Sequence, residues 1–421
     1  MAIVMTGPRE VAHSGRVEAL RCAVLRRHLL LQGTAQVADA ATTITIATLL
    51  VLETASWRSP TELATALIFA LLPAALCLPI AWHVADAPDR SSTLARTHLV
   101  RAAICLSGLM VLLSSDRMVG FVIIGLMTGA QSVSSSVRAA ALPFIVPNSR
   151  LLAANSLCTL SAKVAGTLGV AAAIVLGHVH PSTVFVAAAL LHVVATIGYA
   201  TWNIDLGGRC ITGATAPNLR RAWRQLMSDE FAARSAFAAV GGRGLLGAAV
   251  MMLAISADRH YGMGSAGYAA AIGICAAGAL CGSAIGPSWS RRAAGRKWAR
   301  RTGQIALVAA LVASLTPTMG TSAAVVFIFA VMFGALRNRA DTTVMSAIDD
   351  VDRGRFFAIY DASYQVTYLL GAVSAALSPL AGDRLGLGVV AGLTVAATAA
   401  IATRNPSRHA PSQPPRTAHQ C

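Results

Sequence analysis

Apolar segments of about twenty residues recur along the whole chain, and that recurrence constrains the fold more than any other feature. Roughly 20 helical residues are needed to cross a hydrocarbon core of about 30 Å. Twelve such spans can be placed: Leu29 to Leu52, Leu63 to Trp82, Thr97 to Ser115, Met118 to Val137, Leu151 to Gly177, Thr183 to Ile204, Ala232 to Ala257, Ala266 to Trp289, Thr302 to Thr318, Ser322 to Leu336, Phe356 to Leu380 and Leu385 to Thr403. The 421 residues are 55% hydrophobic and only 12% charged, about half the charge of an average soluble domain. The expected class is an all-α integral membrane protein.

The formal charge of +16 would suggest a nucleic-acid partner in a soluble chain. Its distribution points elsewhere. With the N-terminus inside, 28 of the 34 Lys and Arg fall on one side of the spans, counting there Arg101 and Arg234 in the first residues of spans three and seven, four (Arg58, Arg117, Arg259, Arg384) on the other, and two (Lys163, Arg243) deep within spans. Lys and Arg gather on cytoplasmic loops, so both termini are expected in the cytoplasm. The charge then faces anionic lipid, and no nucleic-acid partner is expected. The arginines ahead of span one are not followed by a separate apolar region and cleavage site, so a removed signal peptide is not expected.

The longest internal hydrophilic stretch separates spans six and seven. It divides the chain into an N-terminal segment (1–28), a six-helix half (29–204), a central loop (205–231), a second half (232–403) and a tail (404–421). An offset of about 205 residues aligns Asp39 with Arg243, the loop at Asp86 to Arg90 with Ser290 to Lys297, and Arg150 with Arg353 and Arg355. Repeats of this kind are a common way to build transporters. The Gly- and Ala-rich spans five and eight are candidates for the seam between halves, because small residues let helix backbones approach closely.

Four stretches carry a resemblance to a known family: "HVADAPDRSSTLARTHLVRAA" from His83, "LPFIVPNSRLLAANSL" from Leu142, "RGRFFAIYDASYQVTYLLGA" from Arg353, and the Gly-rich span five. Together with two six-span halves they resemble the major facilitator superfamily, nearest its bacterial macrolide and multidrug efflux branch. The resemblance implies rocker-switch alternating access and matches Asp86, Asp89, Arg90 and Arg101 to a motif between spans two and three. It implies a cytoplasmic latch in which Asp86 faces the start of span eleven near Arg355, with Asp361 close by. The chain departs from the family at Trp82, Ala87 and Ser91, and span five lacks the antiporter proline.

Charges inside spans are costly and mark pathways or ion pairs. Asp39 and Arg243 sit at corresponding depths, so a pair across a central cavity is one expectation, with Asp39 either coupling proton movement or anchoring the fold. Lys163 either snorkels to the surface or faces the cavity. Gln131 and Ser132 to Ser136 make span four polar, and they either hydrate the cavity or bond helix to helix. Asp361 is read as stabilised by the start of span eleven, and His192 as peripheral packing.

No phosphate-cradling G-x-x-x-x-G-K-[ST] occurs, so ATP hydrolysis is not expected and an ion gradient must supply any drive. No catalytic residues, metal or cofactor are expected. The sequence therefore points to a monomeric, multi-pass transporter of the plasma or inner membrane that exports a small amphipathic compound through a mainly apolar cavity. Uptake of a small metabolite, or a transport-inactive scaffold, are the alternatives.

Overall fold

A computed structural model describes residues 16–52, 89–114, 117–147, 150–202, 206, 219–290 and 318–378, with scattered positions at 65–77 and 304–315. Among these every regular element is an α-helix, as a bilayer demands of any segment whose backbone must satisfy itself. We number them α1 (Ala23–Leu52), α2 (Arg90–Ser107), α3 (Leu109–Leu113), α4 (Arg117–Ile145), α5 (Leu151–Gly177), α6 (Pro181–Ala200), α7 (Leu219–Ser228), α8 (Glu230–Tyr261), α9 (Gly264–Ser290), α10 (Met319–Ala347) and α11 (Asp350–Leu377). Six stretches among the described residues are long and apolar enough to cross a membrane. The expected spans two, nine and twelve lie wholly or largely outside those residues.

Local chemistry sets where the helices begin. Asp89 caps α2 through Ser91 N at 2.9 Å and Ser92 N at 3.3 Å, and Asp229 caps α8 through Phe231 N and Ala232 N, both at 3.0 Å. Thr318 and Thr321 close a reciprocal capping box at α10, and Pro181 opens α6 where its missing N–H costs nothing. Gly262 ends α8 at φ 63°, a left-handed conformation that only glycine adopts without strain.

One close contact recurs in the two halves. In the first, α1 packs on α5 and α6, and α2 on α4 and α6; in the second, α8 packs on α10 and α11, and α9 on α10. The contact of α1 with α5 thus corresponds to that of α8 with α11. Both are close crossings. A methyl on Gly169 would strike the carbonyl of Val37, and one on Gly371 would strike that of Gly244.

Between the halves, α5 meets α9 and α10 while α4 meets α11. The expected seam of spans five and eight therefore forms, but not through small residues alone. Gly278 and Gly282 of α9 turn toward α10, while polar groups tie α9 to α5. At the end bearing α7 and the start of α11, a shared core joins Val137, Ala141, Leu142 and Ile145 to Val344, Met345, Phe356 and Phe357. That core closes this end of the bundle.

Candidate functional site

Just inside the closed end lies a cavity of about 220 Å³ between the halves. It is lined by His28, Gln32 and Gln36 of α1, by Gln131, Ser135, Ser136, Arg138, Ala139 and Leu142 of α4, and by Asn155, Cys158, Thr159 and Ala162 of α5. The second half contributes Arg337, Asp341 and Met345 of α10 and Phe357 and Asp361 of α11. The apolar cavity expected from sequence is not what forms. Twelve of these eighteen residues are polar, and four carry full charges.

The charges are organised around Arg337. Its Nε lies 2.7 Å from Asp341 Oδ1, one turn along α10, and its Nη2 donates to Asp361 Oδ1 at 2.8 Å. The guanidinium also lies over the rings of Tyr360 and Tyr364, at 4.6 and 4.0 Å from their centroids. Ser135 Oγ of α4 donates to Asp361 Oδ2 at 2.6 Å, so this carboxylate bridges the halves. Asp361 was expected one turn inside its helix, stabilised by the dipole. Because α11 starts at Asp350, it lies about three turns beyond the helix start, out of reach of that effect, and its partners are side chains.

Gln131, Ser135 and Ser136 line the cavity, and Ser135 and Ser136 also bond the carbonyl of Ser132. Those two bonds stay within α4, and the contact of this stretch that joins helix to helix is Ser135 to Asp361. Above the cavity, Asn155 Nδ2 donates to Asn338 O at 3.2 Å, a further tie between halves.

Asp39 and Arg243 do not form the expected pair. Asp39 is buried within the first half, where Arg101 of α2 clasps it with Nε at 3.1 Å and with Nη2, and where His192 Nε2 of α6 lies 3.1 Å away. A desolvated carboxylate takes the cation that can grip it with two N–H groups, and Arg101 is in its own half. Arg243 stacks on Tyr364 and Tyr368 of α11, with centroids at 5.1 and 4.2 Å. His192 is not peripheral either, being fully buried and stacked on His98, which in turn stacks on Tyr199.

The remaining latch residues also have other work. Asp86 lies outside the described residues. Asp89 caps α2, while the buried Arg90 donates to the carbonyls of Ala140 and Leu206 at 3.1 and 3.2 Å. Arg101, placed by sequence in the motif, is the clasp on Asp39. Arg355 is half-buried on α11, one turn from the helix start. Lys163 neither snorkels nor enters the cavity, because it crosses the seam to the carbonyl of Ala279 and to Ser283 Oγ at 2.6 Å.

At the start of α11, the helix of the central loop is fastened to the second half. Arg221 of α7 grips Asp352 through Nε at 2.5 Å and Nη2 at 3.0 Å, and Gln225 Nε2 donates to Asp349 Oδ2 at 2.5 Å. The hydrogen bond to Asp352 raises the Arg221 pKa, so this guanidinium stays charged.

No protein-family model matches the sequence, and no curated protein does. Solved structures do match. A bacterial homologue of the iron transporter ferroportin, in an outward-facing state, aligns at a TM-score of 0.65 and 15% identity over 90% of this chain and 97% of its own. The human organic anion transporter MFSD10 aligns at 0.67 and 11% identity over 90% and 99%. The chain has the major facilitator fold. The E. coli fucose:proton symporter shares it at a TM-score of 0.58 and 12% identity, over 91% of this chain. Within this fold the cavity occupies the boundary between the two halves, and the Asp39 cluster lies inside one of them.

Sequence reasoning missed Arg138, Arg337 and Asp341 as cavity residues. It counted both arginines as loop charges because they lie at or just past the ends of the apolar windows. A usable signal was present in the spacing of Arg337 and Asp341, four apart on one helical face.

Proposed function

We propose that the protein is a secondary transporter that alternates access to the cavity between its halves. The observation that carries this reading is the bridging carboxylate of Asp361, held at once by Ser135 of one half and Arg337 of the other. A charged contact across a boundary between two similar bodies must be remade whenever those bodies rock, so it can tie movement to occupancy. The likeness to solved transporters supports the same reading. With both termini in the cytoplasm, the closed end is cytoplasmic and the cavity belongs to an outward-facing state, the state of the ferroportin homologue.

The solute is small and amphipathic. Gln32, Gln131, Asn155 and the charged groups would meet its polar part, and Leu142, Met345 and Phe357 its apolar part. We take the direction to be export and the drive to be the proton gradient. The proton-carrying groups would then be Asp341 and Asp361 at the boundary, with Asp39 structural. The protein would work as a monomer in the cell membrane, in contact with anionic lipid and with no nucleic acid.

The test is flux. Purified protein in vesicles with an imposed pH gradient should move members of a panel of small amphipathic solutes against their own gradients, and the Asp361→Asn variant should not. Absence of gradient-dependent flux across the panel would favour a scaffold.

A further inference from the structure

Two arginines line the cavity, and each keeps a buried nitrogen with no hydrogen-bond partner among the described residues. Arg337 spends Nε and Nη2 on Asp341 and Asp361, but its Nη1 is buried and has no hydrogen-bond partner among the described residues. Arg138 Nη1 is in the same condition, and no ion pair to Arg138 occurs among those residues. A buried donor left unsatisfied costs about 1–3 kcal/mol, and more when the group is charged, so it calls for an acceptor. The acids present are already engaged. Asp361 receives Arg337 on one oxygen and Ser135 on the other, and Asp341 is held by Arg337.

The two arginines come from corresponding helices. Arg138 lies on α4, just past the apolar window of span four, and Arg337 on α10, just past that of span ten. An acceptor that met both would sit between the halves, on the path that a solute must take.

We infer that the polar part of the solute is an anionic group, a carboxylate or another oxyanion, received by the guanidinium groups of Arg138 and Arg337, whose unsatisfied Nη1 donors turn to it as it enters. The inference rests on the transport reading and names its substrate class. Guanidinium groups suit the task because planar N–H pairs match the geometry of an oxyanion and never lose their charge. The anion would also connect the halves directly, since one donor belongs to each. Its binding would therefore favour the arrangement in which both arginines reach it.

Binding can be read without flux, which separates this inference from the transport reading. Full-length protein in zwitterionic detergent, without anionic lipid, is titrated with benzoate, phenylacetate, hexanoate and inorganic phosphate, and with benzamide, phenylacetamide and hexanamide as neutral counterparts. The expected result is a saturable rise in melting temperature with at least one anion, and none with its amide. Arg138→Gln should weaken that binding at least about tenfold, the loss of one charge-assisted hydrogen bond, while Arg138→Lys retains part of it. If Arg138→Gln fails to fold, the comparison of anion with amide on the unaltered protein still decides. Equal response to anion and amide, no response to any anion, or a response to anionic lipid alone overturns the inference. Anion binding without flux in vesicles would leave the site standing and remove the transport reading. Flux of neutral or cationic solutes with no anion binding would do the reverse.

Discussion

Among the described residues, two clusters of charge lie within the helical bundle, and they differ in what they join. Asp39, Arg101 and His192 come from α1, α2 and α6 of one half. Asp361, Arg337 and Asp341 come from the second half but are reached by Ser135 of the first. The first cluster is sealed, with Arg101 and His192 fully buried, whereas the second lines a cavity. Similar chemistry therefore has different consequences. A pair inside a body that moves as a unit keeps its geometry through the cycle and contributes stability. A contact across the boundary changes with the cycle and can carry function.

The largest expected effect is at Asp39. Asp39→Ala leaves Arg101 buried without its counter-charge, which should cost about 3–5 kcal/mol in thermal or denaturant unfolding. The double variant Asp39→Leu with Arg101→Met should recover most of that loss, since a well-packed apolar pair replaces the ions. Flux per folded molecule should be unchanged in the double variant; loss of flux there would give Asp39 a part in transport. Next comes Asp361→Asn, which removes the charge that Arg337 and Ser135 share. Flux should fall at least about tenfold, while stability falls by no more than about 1.5–3 kcal/mol, the worth of a hydrogen bond to a charged group.

A smaller shift is expected from Lys163→Met, which cuts the ties to Ala279 and Ser283 across the seam. If that contact breaks when the halves rock, its loss should move the balance between states by about 1–2 kcal/mol, read as a change in alkylation rate at Cys158 in the cavity. The smallest belongs to Arg221→Lys. It breaks the two-pronged grip of α7 on Asp352, so the melting temperature should fall slightly with flux intact.

The same distinction explains what could be read from the sequence. Apolar windows announce helices, and the positive bias orders them, so the two-half plan was legible. A window also stops where charge begins, although the helix does not. Helix α10 runs on to Ala347, ten residues past Arg337, or about 15 Å of rise. Arg337 and Asp341 were therefore taken for a loop when they line the cavity. Arg101 is legible as a motif residue but not as the partner of Asp39, because the motif assigns it to a cytoplasmic latch. Pairing Asp39 with Arg243 followed the repeat, which relates positions in the two halves but says nothing about which side chains face each other. Burial decided that instead, since Arg101 lay within reach and Arg243 was covered by Tyr364 and Tyr368.

The central claim is that the halves move as two bodies, with the cavity at their boundary and the Asp39 cluster carried inside one. Spin labels at Leu20 and Met227, both exposed near the closed end, would report distance between the halves by double electron–electron resonance. Labels at Leu99 and Val193, on α2 and α6, would report distance within the first half. Across a series of pH values and anion concentrations in lipid nanodiscs, the first distance should take two values differing by about 5 Å or more, and the second should stay constant. A single unchanging distance between the halves, or an equal change within the first half, would contradict the account.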